Sequence, residues 1–127
     1  MNKMHNAVSW FEIPTTDLSR AMQFYESIFA IHMEQMEFPN GLKMVLFPTE
    51  EDAIGGALVH FPDFYKTGSE GPLVYLNGGD DLQVVLDRVD PNGGKTVVPK
   101  TQISEEYGHM AVFLDTEGNR IALFSRS

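Results

Sequence analysis

The chain carries one local plan twice, and this repeat constrains its fold more than any other feature. Residues 7–13 mix β-branched and aromatic side chains, as strands do, and Asp17 follows at a position suited to cap a helix. Residues 72–77 and Asp81 repeat that order. Two such modules can face each other and enclose a site.

Hydrophobic periodicity extends the repeat into the element order βαβββ followed by βαβββ. Each helix has one apolar face, and Pro91 with the glycines at 93 and 94 stops the second helix. Residues 99–106 are predicted to form a loop. The predicted strands cover residues 7–13, 31–38, 42–47, 54–61, 73–77, 95–98, 107–114 and 120–125. The helix faces contain Leu18, Ala21, Met22, Tyr25, Ile28 and Phe29, and then Leu82, Val85, Leu86 and Val89.

The chain of 127 residues fits a single α+β domain. The first module is expected to span about 7–61 and the second about 72–127. Residues 62–71, rich in Pro, Gly and polar side chains, are the expected connector. Phe64 and Tyr65 make this connector more apolar than a flexible linker, so it is expected to fold over a pocket.

Composition excludes several classes of function. The net charge of −9 and only nine Lys and Arg residues argue against nucleic acid as a partner. No apolar run is long enough to span a membrane, so no membrane partner is expected. The chain has no cysteine, which removes disulfides, thiol nucleophiles and thiolate metal sites. We expect a soluble cytoplasmic protein without a cofactor.

Local motifs resemble the vicinal oxygen chelate superfamily, which includes glyoxalase I, extradiol dioxygenases, fosfomycin-resistance proteins and bleomycin-binding proteins. The resemblance covers nearly the whole chain. It rests on Thr16-Asp17-Leu18-Ser19-Arg20-Ala21 with Phe24-Tyr25, on Asp80-Asp81-Leu82, and on Leu114-Asp115-Thr116-Glu117-Gly118-Asn119-Arg120-Ile121. It implies two βαβββ modules whose curled mixed sheets form a cup-like cavity, and a homodimer, because members are often dimers.

The same motifs also have a direct physical interpretation as scaffold. Asp17 suits the free N–H groups at a helix start. Phe24 and Tyr25 supply apolar area for packing the helix on its sheet. Asp115 and the Gly118-Asn119 pair allow a tight hairpin.

Metal-dependent relatives place His, Gln or Glu ligands on the first, fourth, fifth and eighth strands. The resemblance aligns the first of these positions with Trp10, the second with residues 55–58, the third with Leu73 or Val74, and the fourth with Ala122. None of these side chains can bind a metal. The sequence therefore indicates a member without the usual metal ligands. A displaced metal site that uses Glu12, His60 or His109 remains an alternative.

Strand alternation places Glu12 on the same face as Trp10 and Val8, which is the cup face. A desolvated carboxylate there could act as a general base or bind a cationic ligand, or it could be paired with Lys or Arg. Tyr75 faces the cup only if the Gly78-Gly79 pair inserts an extra residue; otherwise Tyr75 packs on the helix.

The remaining candidates are less distinctive. His60 and His109 could move protons, with His109 favoured as a catalytic residue beside Glu12. Trp10, Phe47, Phe61 and Met110 could line an apolar pocket or fill the core.

Three functions follow, in this order of preference. The first is binding of a small organic molecule in an aromatic-lined cup by Trp10, Glu12, Tyr75, His60, Phe47 and Met110, without a metal. The second is a glyoxalase-like lyase or isomerase with Glu12 as general base. The third is a metal-dependent lyase or dioxygenase with a displaced site.

Overall fold

The computed structural model describes residues 3–127, which form two modules of a four-stranded mixed sheet with helices on one face. In the first module, strand order is β1-β4-β3-β2, and β1 runs parallel to β4. Its elements are β1 (Trp10–Pro14), helix α1 (Leu18–Phe29), β2 (Glu34–Glu37), β3 (Lys43–Leu46) and β4 (Gly55–His60).

The second module repeats this topology with strand order β5-β8-β7-β6 and a parallel β5–β8 pair. Its elements are β5 (Val74–Asn77), helix α2 (Gln83–Leu86), a 3₁₀ turn (Asp90–Asn92), β6 (Lys95–Ser104), β7 (Gly108–Leu114) and β8 (Arg120–Ser125). The predicted pair of βαβββ modules is thus confirmed, and neither sheet closes into a barrel.

Several elements differ from the sequence prediction. Strand β1 begins at Trp10, so Val8 lies outside it. Helix α2 is a single turn, and a separate 3₁₀ turn carries the chain to Gly93. Residues 99–104, predicted as loop, continue β6. Pro99 fits there because β6 is an edge strand and its pairing with β7 shifts register between Val98 and Thr101.

Helix α1 forms where the sequence predicts it. The Asp17 side chain accepts a hydrogen bond from the Arg20 backbone N–H at 3.1 Å, which satisfies one of the free donors at the helix start. The apolar face of α1 packs against both sheets, with Tyr25 and Phe24 among the largest buried side chains. One hydrophobic cluster joins α1, α2 and the helix-side residues of both sheets.

Gly56 on β4 lies in close contact with a side chain of the neighbouring strand β1. A Cβ atom at this position would overlap the Phe11 ring, which packs on the helix side of the first sheet. Among residues 3–127, no helix has the length and apolar character needed to cross a bilayer.

Candidate functional site

Each sheet has a face that points away from the helices, here called the outer face. On β1 it carries Trp10 and Glu12, because Phe11 and Ile13 belong to the core on the other side. The indole Nε1 of Trp10 donates to the Glu12 carboxylate at 3.3 Å. The predicted pairing of these two residues on one face therefore occurs.

The connector brings a third group to this pair. The hydroxyl of Tyr65 donates to the other oxygen of Glu12 at 2.5 Å. This hydrogen bond, together with partial desolvation and the nearby negative charge, raises the pKa of Tyr65 to about 12. Sequence reasoning missed Tyr65 as a site residue, although its place in an unusually apolar connector was a signal.

Glu12 has no cationic partner among residues 3–127. Its two oxygens instead accept hydrogen bonds from a neutral indole and a neutral phenol. The possibility that Glu12 is neutralised by Lys or Arg is therefore not realised in the described part of the chain. The carboxylate is thus oriented by two side chains, one from its own strand and one from the connector.

A cavity of about 480 Å³ lies beside Glu12, between the edge strands of the two modules. The connector covers it: the Gly68 N–H donates to the Asn119 side chain at 3.0 Å, and Arg120 Nη2 donates to the Gly71 carbonyl at 2.7 Å. Its lining comprises Glu12, Ile13, Pro14, Lys66, Thr67, Gly68, Ser69, Glu70, Pro72, Val74, Asn119, Arg120 and Ile121. Its volume is in the range of small-molecule sites.

Tyr75 lies on the outer face of the second sheet. It pairs with Ala122, whereas its neighbours Val74 and Leu76 pair with Ile121 and Leu123 and pack in or against the core. The Tyr75 ring is 51% exposed and does not line the cavity. Trp10, 45% exposed, does not line it either, so the expected aromatic-lined cup is not an enclosed space within this chain.

Met110 lies on the outer face as well, paired with Phe124 on β8. Phe47 does not. Its ring centroid lies 5.5 Å from that of Phe11 and 5.6 Å from that of Tyr25, on the helix side of the first sheet. The interpretation of Phe47 as a cup residue is wrong, because Phe47 continues the pairing with β4 and shares the strand parity of the core residue Val45.

The two histidines lie away from Glu12. His60 has the strand parity of the core residue Leu58, and its Nδ1 is 3.0 Å from the Thr15 carbonyl oxygen. His109 has the parity of Ala111, on the helix side of the second sheet. Neither histidine joins Glu12 in the cavity lining, so the structure does not bring together the predicted Glu12–His109 pair.

The positions where metal-dependent relatives carry ligands do not fit a metal. Trp10 pairs with Gly55 in the first module. In the second module Ala122 pairs with Tyr75, and not with Leu73 or Val74, to which the resemblance assigned the fifth-strand position. None of these side chains offers an imidazole or a carboxylate. Within residues 3–127, no three His, Asp or Glu side chains are grouped as metal ligands.

A separate polar network joins the modules and is scaffold. Glu117, whose side chain is fully buried, accepts hydrogen bonds from Arg20, from the Thr16 hydroxyl and from the backbone N–H groups of Thr16 and Asp17. Burial would raise the pKa of Glu117, but these bonds outweigh it and lower the pKa to about 2. The sequence identified the turn but not this role of Glu117.

The neighbouring Asp115 supports the same junction. It accepts a hydrogen bond from the Tyr25 hydroxyl at 2.7 Å and further bonds from the backbone N–H groups of Glu117 and Asn119. Burial raises the pKa of both Asp115 and Tyr25. The interpretation of Tyr25 and Asp115 as structural residues agrees with these contacts.

The fold consists of two βαβββ modules, each with a four-stranded mixed sheet. This is the architecture that the sequence resemblance implies. The profile of the Glyoxalase/Bleomycin resistance protein/Dioxygenase superfamily matches residues 7–123. The chain therefore belongs to this superfamily.

Individual relatives differ in length and description. A glyoxylase-like domain-containing protein of Didymella fabae is 30% identical over 129 residues, covering 97% of this chain and 96% of that protein. The putative glyoxylase CFP32 of Mycobacterium bovis is 27% identical over 116 residues, covering 91% of this chain. The present chain spans only 44% of the length of CFP32.

Solved structures share the fold at lower identity. TnmS3, an antibiotic binding protein from Streptomyces sp. CB03234, aligns with a TM-score of 0.64 at 24% identity, covering 100% of this chain and 99% of TnmS3. Glyoxalase I from Zea mays aligns with a TM-score of 0.66 at 16% identity, covering 93% of this chain and 45% of the maize chain.

Proposed function

We propose that the protein binds a small organic molecule at Glu12 without using a metal. The observation that carries this proposal is the environment of the Glu12 carboxylate. It is oriented by Trp10 and Tyr65, has no cationic partner among the described residues, and lies at the wall of a cavity of about 480 Å³. Such a group can accept a hydrogen bond from a ligand donor or bind a ligand cation.

Aromatic side chains beside Glu12 add stacking surface for that ligand. Trp10 and Tyr65 flank the carboxylate, and Tyr75 and Met110 extend the outer face of the second sheet. A planar or apolar ligand portion would pack against such side chains. The description of TnmS3 as an antibiotic binding protein gives a precedent for binding by a protein of this fold.

Binding is favoured over catalysis by what surrounds Glu12. A lyase or isomerase with Glu12 as general base also needs its carboxylate directed at the acidic hydrogen of the substrate. Both oxygens of Glu12 already accept bonds from protein donors, and the two candidate proton shuttles, His60 and His109, have the helix-side strand parity. Lyase or isomerase activity is therefore the second hypothesis. The Glu12→Gln variant tests both hypotheses.

The test uses Trp10, the single tryptophan of the chain, as a fluorescent reporter. A library of aromatic amines, amides and carboxylates is titrated against the protein and against Glu12→Gln, with the exposed Glu51→Gln as control. We expect Glu12→Gln to weaken ligands that carry an N–H donor about tenfold, because a charged acceptor is lost. Equal affinities in the protein and in Glu12→Gln would overturn the proposal.

The catalytic alternative makes a different prediction for the same variant. If Glu12 is a general base, Glu12→Gln retains much of the binding but abolishes turnover of the bound compound. Product analysis of each bound compound after incubation distinguishes the two. Elemental analysis of the purified protein supplies the metal test: a stoichiometric divalent ion would overturn the metal-free proposal.

We further propose that a second copy of the chain covers the outer faces. The support is apolar exposure on these faces: Trp10, Met36 and Tyr75 are 45%, 44% and 51% exposed. Exposed apolar side chains of this size are typical of interfaces. Sedimentation velocity should show a dimer that Tyr75→Lys weakens, whereas Tyr107→Lys, a change at another exposed tyrosine, leaves it intact.

A further inference from the structure

Arg120 is the cationic counterpart of Glu12 in the cavity beneath the connector. It begins β8 and lines the same cavity as Glu12. Its Nη2 donates to the Gly71 carbonyl at 2.7 Å. Its Nε is buried and has no hydrogen-bond partner among residues 3–127. An orphaned, buried N–H of a guanidinium is unusual, because such donors are nearly always paired.

Arg120 also lacks a carboxylate partner in the described part of the chain. The chain has 18 acidic and nine basic residues, so carboxylate partners for an arginine are in excess. Glu12 and Arg120 thus line one cavity with opposite charges, and they are not paired with each other. Each is held in place by neutral or backbone groups instead.

The other charged side chains of this cavity are less constrained. Lys66 and Glu70 belong to the exposed connector, and the Lys66 ammonium donates to the Pro62 carbonyl at 2.9 Å. They lie on the covering segment, whereas Glu12 and Arg120 are fixed on sheet strands. Groups on strands are positioned more rigidly than groups on loops, so specificity is expected from these two.

We infer that the cavity recognises an amphoteric small molecule, with Arg120 binding a carboxylate and Glu12 binding an amine or N–H donor of the same ligand. This inference rests on the proposed function, since Glu12 is the ligand-binding carboxylate in both. A guanidinium suits a carboxylate, because its N–H groups can form parallel charge-assisted hydrogen bonds. The cavity, of about 480 Å³ and lined by both residues, is in the range of small-molecule sites.

Three probes built on one aromatic frame test the inference: para-aminomethylbenzoate, para-methylbenzoate and para-methylbenzylamine. The first carries both charges, the second only the anion and the third only the cation. We expect the amphoteric probe to bind most tightly. Arg120→Gln should weaken the two carboxylates about tenfold and leave the amine unchanged, because only the carboxylates contact the guanidinium.

Two further variants separate this role from a structural one. Arg120→Lys retains the charge but loses Nε, and it should restore only part of the carboxylate affinity. Arg126→Gln changes the net charge equally at an exposed arginine and should bind all three probes like the unmodified protein. Thermal melting of each variant shows whether the loss of the Gly71 hydrogen bond has unfolded the connector region.

The outcomes distinguish this inference from the function on which it rests. In one outcome, the amine binds in a way that depends on Glu12 while Arg120→Gln leaves the affinity of both carboxylate probes unchanged. That result would overturn the inference but not the proposed function. Carboxylate binding that depends on Arg120 but is unchanged in Glu12→Gln, with no binding of the amine, would place an anion site here and overturn the proposed function. No binding of any probe to the folded protein would overturn the amphoteric site.

Discussion

The Glu117 carboxylate, in the turn between β7 and β8, lies 2.8 Å from the Arg20 Nε of helix α1 and also accepts hydrogen bonds from the backbone N–H groups of Thr16 and Asp17, which lead into that helix. A residue of the second module thus anchors the start of the helix of the first. The helix dipole and the guanidinium both favour the ionised form of this buried carboxylate.

Glu117→Gln should lower the free energy of unfolding by about 1–3 kcal/mol at neutral pH, because buried donors lose a charged acceptor. The pKa of Glu117 is lowered from 4.5 to about 2, so its ionic contribution is complete above about pH 4.5 and is lost as the pH falls toward 2. The difference between the two proteins in urea unfolding should therefore shrink over that range. Glu105→Gln, an exposed control, should show no such trend; a constant Glu117→Gln difference down to pH 2 would contradict the assignment.

Tyr25→Phe should destabilise the fold by about 1–3 kcal/mol, because it removes the hydroxyl that donates to the buried Asp115 while preserving the packed ring. The measurement is chemical denaturation monitored by circular dichroism. Tyr107→Phe is the matched control, since the Tyr107 side chain is 64% exposed. If both variants unfold at the same denaturant concentration, the hydrogen bond contributes nothing to stability.

The Tyr65 pKa of about 12 should fall toward 10 in Glu12→Gln, because the neutral amide no longer accepts the hydroxyl proton as strongly and no longer repels the phenolate. Ultraviolet difference titration isolates this tyrosine when each protein is compared with its own Tyr65→Phe variant. An unchanged Tyr65 pKa in Glu12→Gln would show that the two side chains are not bonded in solution.

Gly56→Ala should cost about 1–3 kcal/mol, because the added methyl group meets the Phe11 ring within a packed core. Gly68→Ala provides the control, since a Cβ there has no heavy atom within 4 Å. Thermal unfolding of the two variants gives the comparison. Equal stability would mean that Phe11 moves aside without loss.

The sequence predicted most of the scaffold because its signals are local. The apolar spacing of α1, the cap at Asp17 and the turn at residues 115–119 are all encoded within a few residues. The predicted β8 coincides with the observed Arg120–Ser125, whereas α2, the loop within β6 and the starts of β1 and β2 differ from the prediction. Proline is tolerated in a strand at the edge of a sheet, as Pro99 is in β6. The local sequence does not reveal which strand lies at the edge.

The candidate site was predicted only in part. Strand alternation was enough to pair Trp10 with Glu12, because two residues on one strand share a face. The position of Tyr75 could not be decided until β5 paired with β8 and set its register opposite Ala122. Phe47 was misplaced because the alternation along β3, which puts it on the same face as the core residue Val45, was not applied to it.

The sequence by itself determined the paired modules, the helix cap at Asp17 and the lack of metal-binding side chains at the positions where metal-dependent relatives carry ligands, since these depend on residue type and periodicity. Only the tertiary structure brought Tyr65 to Glu12, Glu117 to Arg20, and Arg120 into the cavity that Glu12 lines. These partners are far apart along the chain, and no local pattern records their meeting. Side-chain burial and the packing of the two modules, rather than secondary-structure propensity, determine which distant polar groups come into contact or line the same cavity.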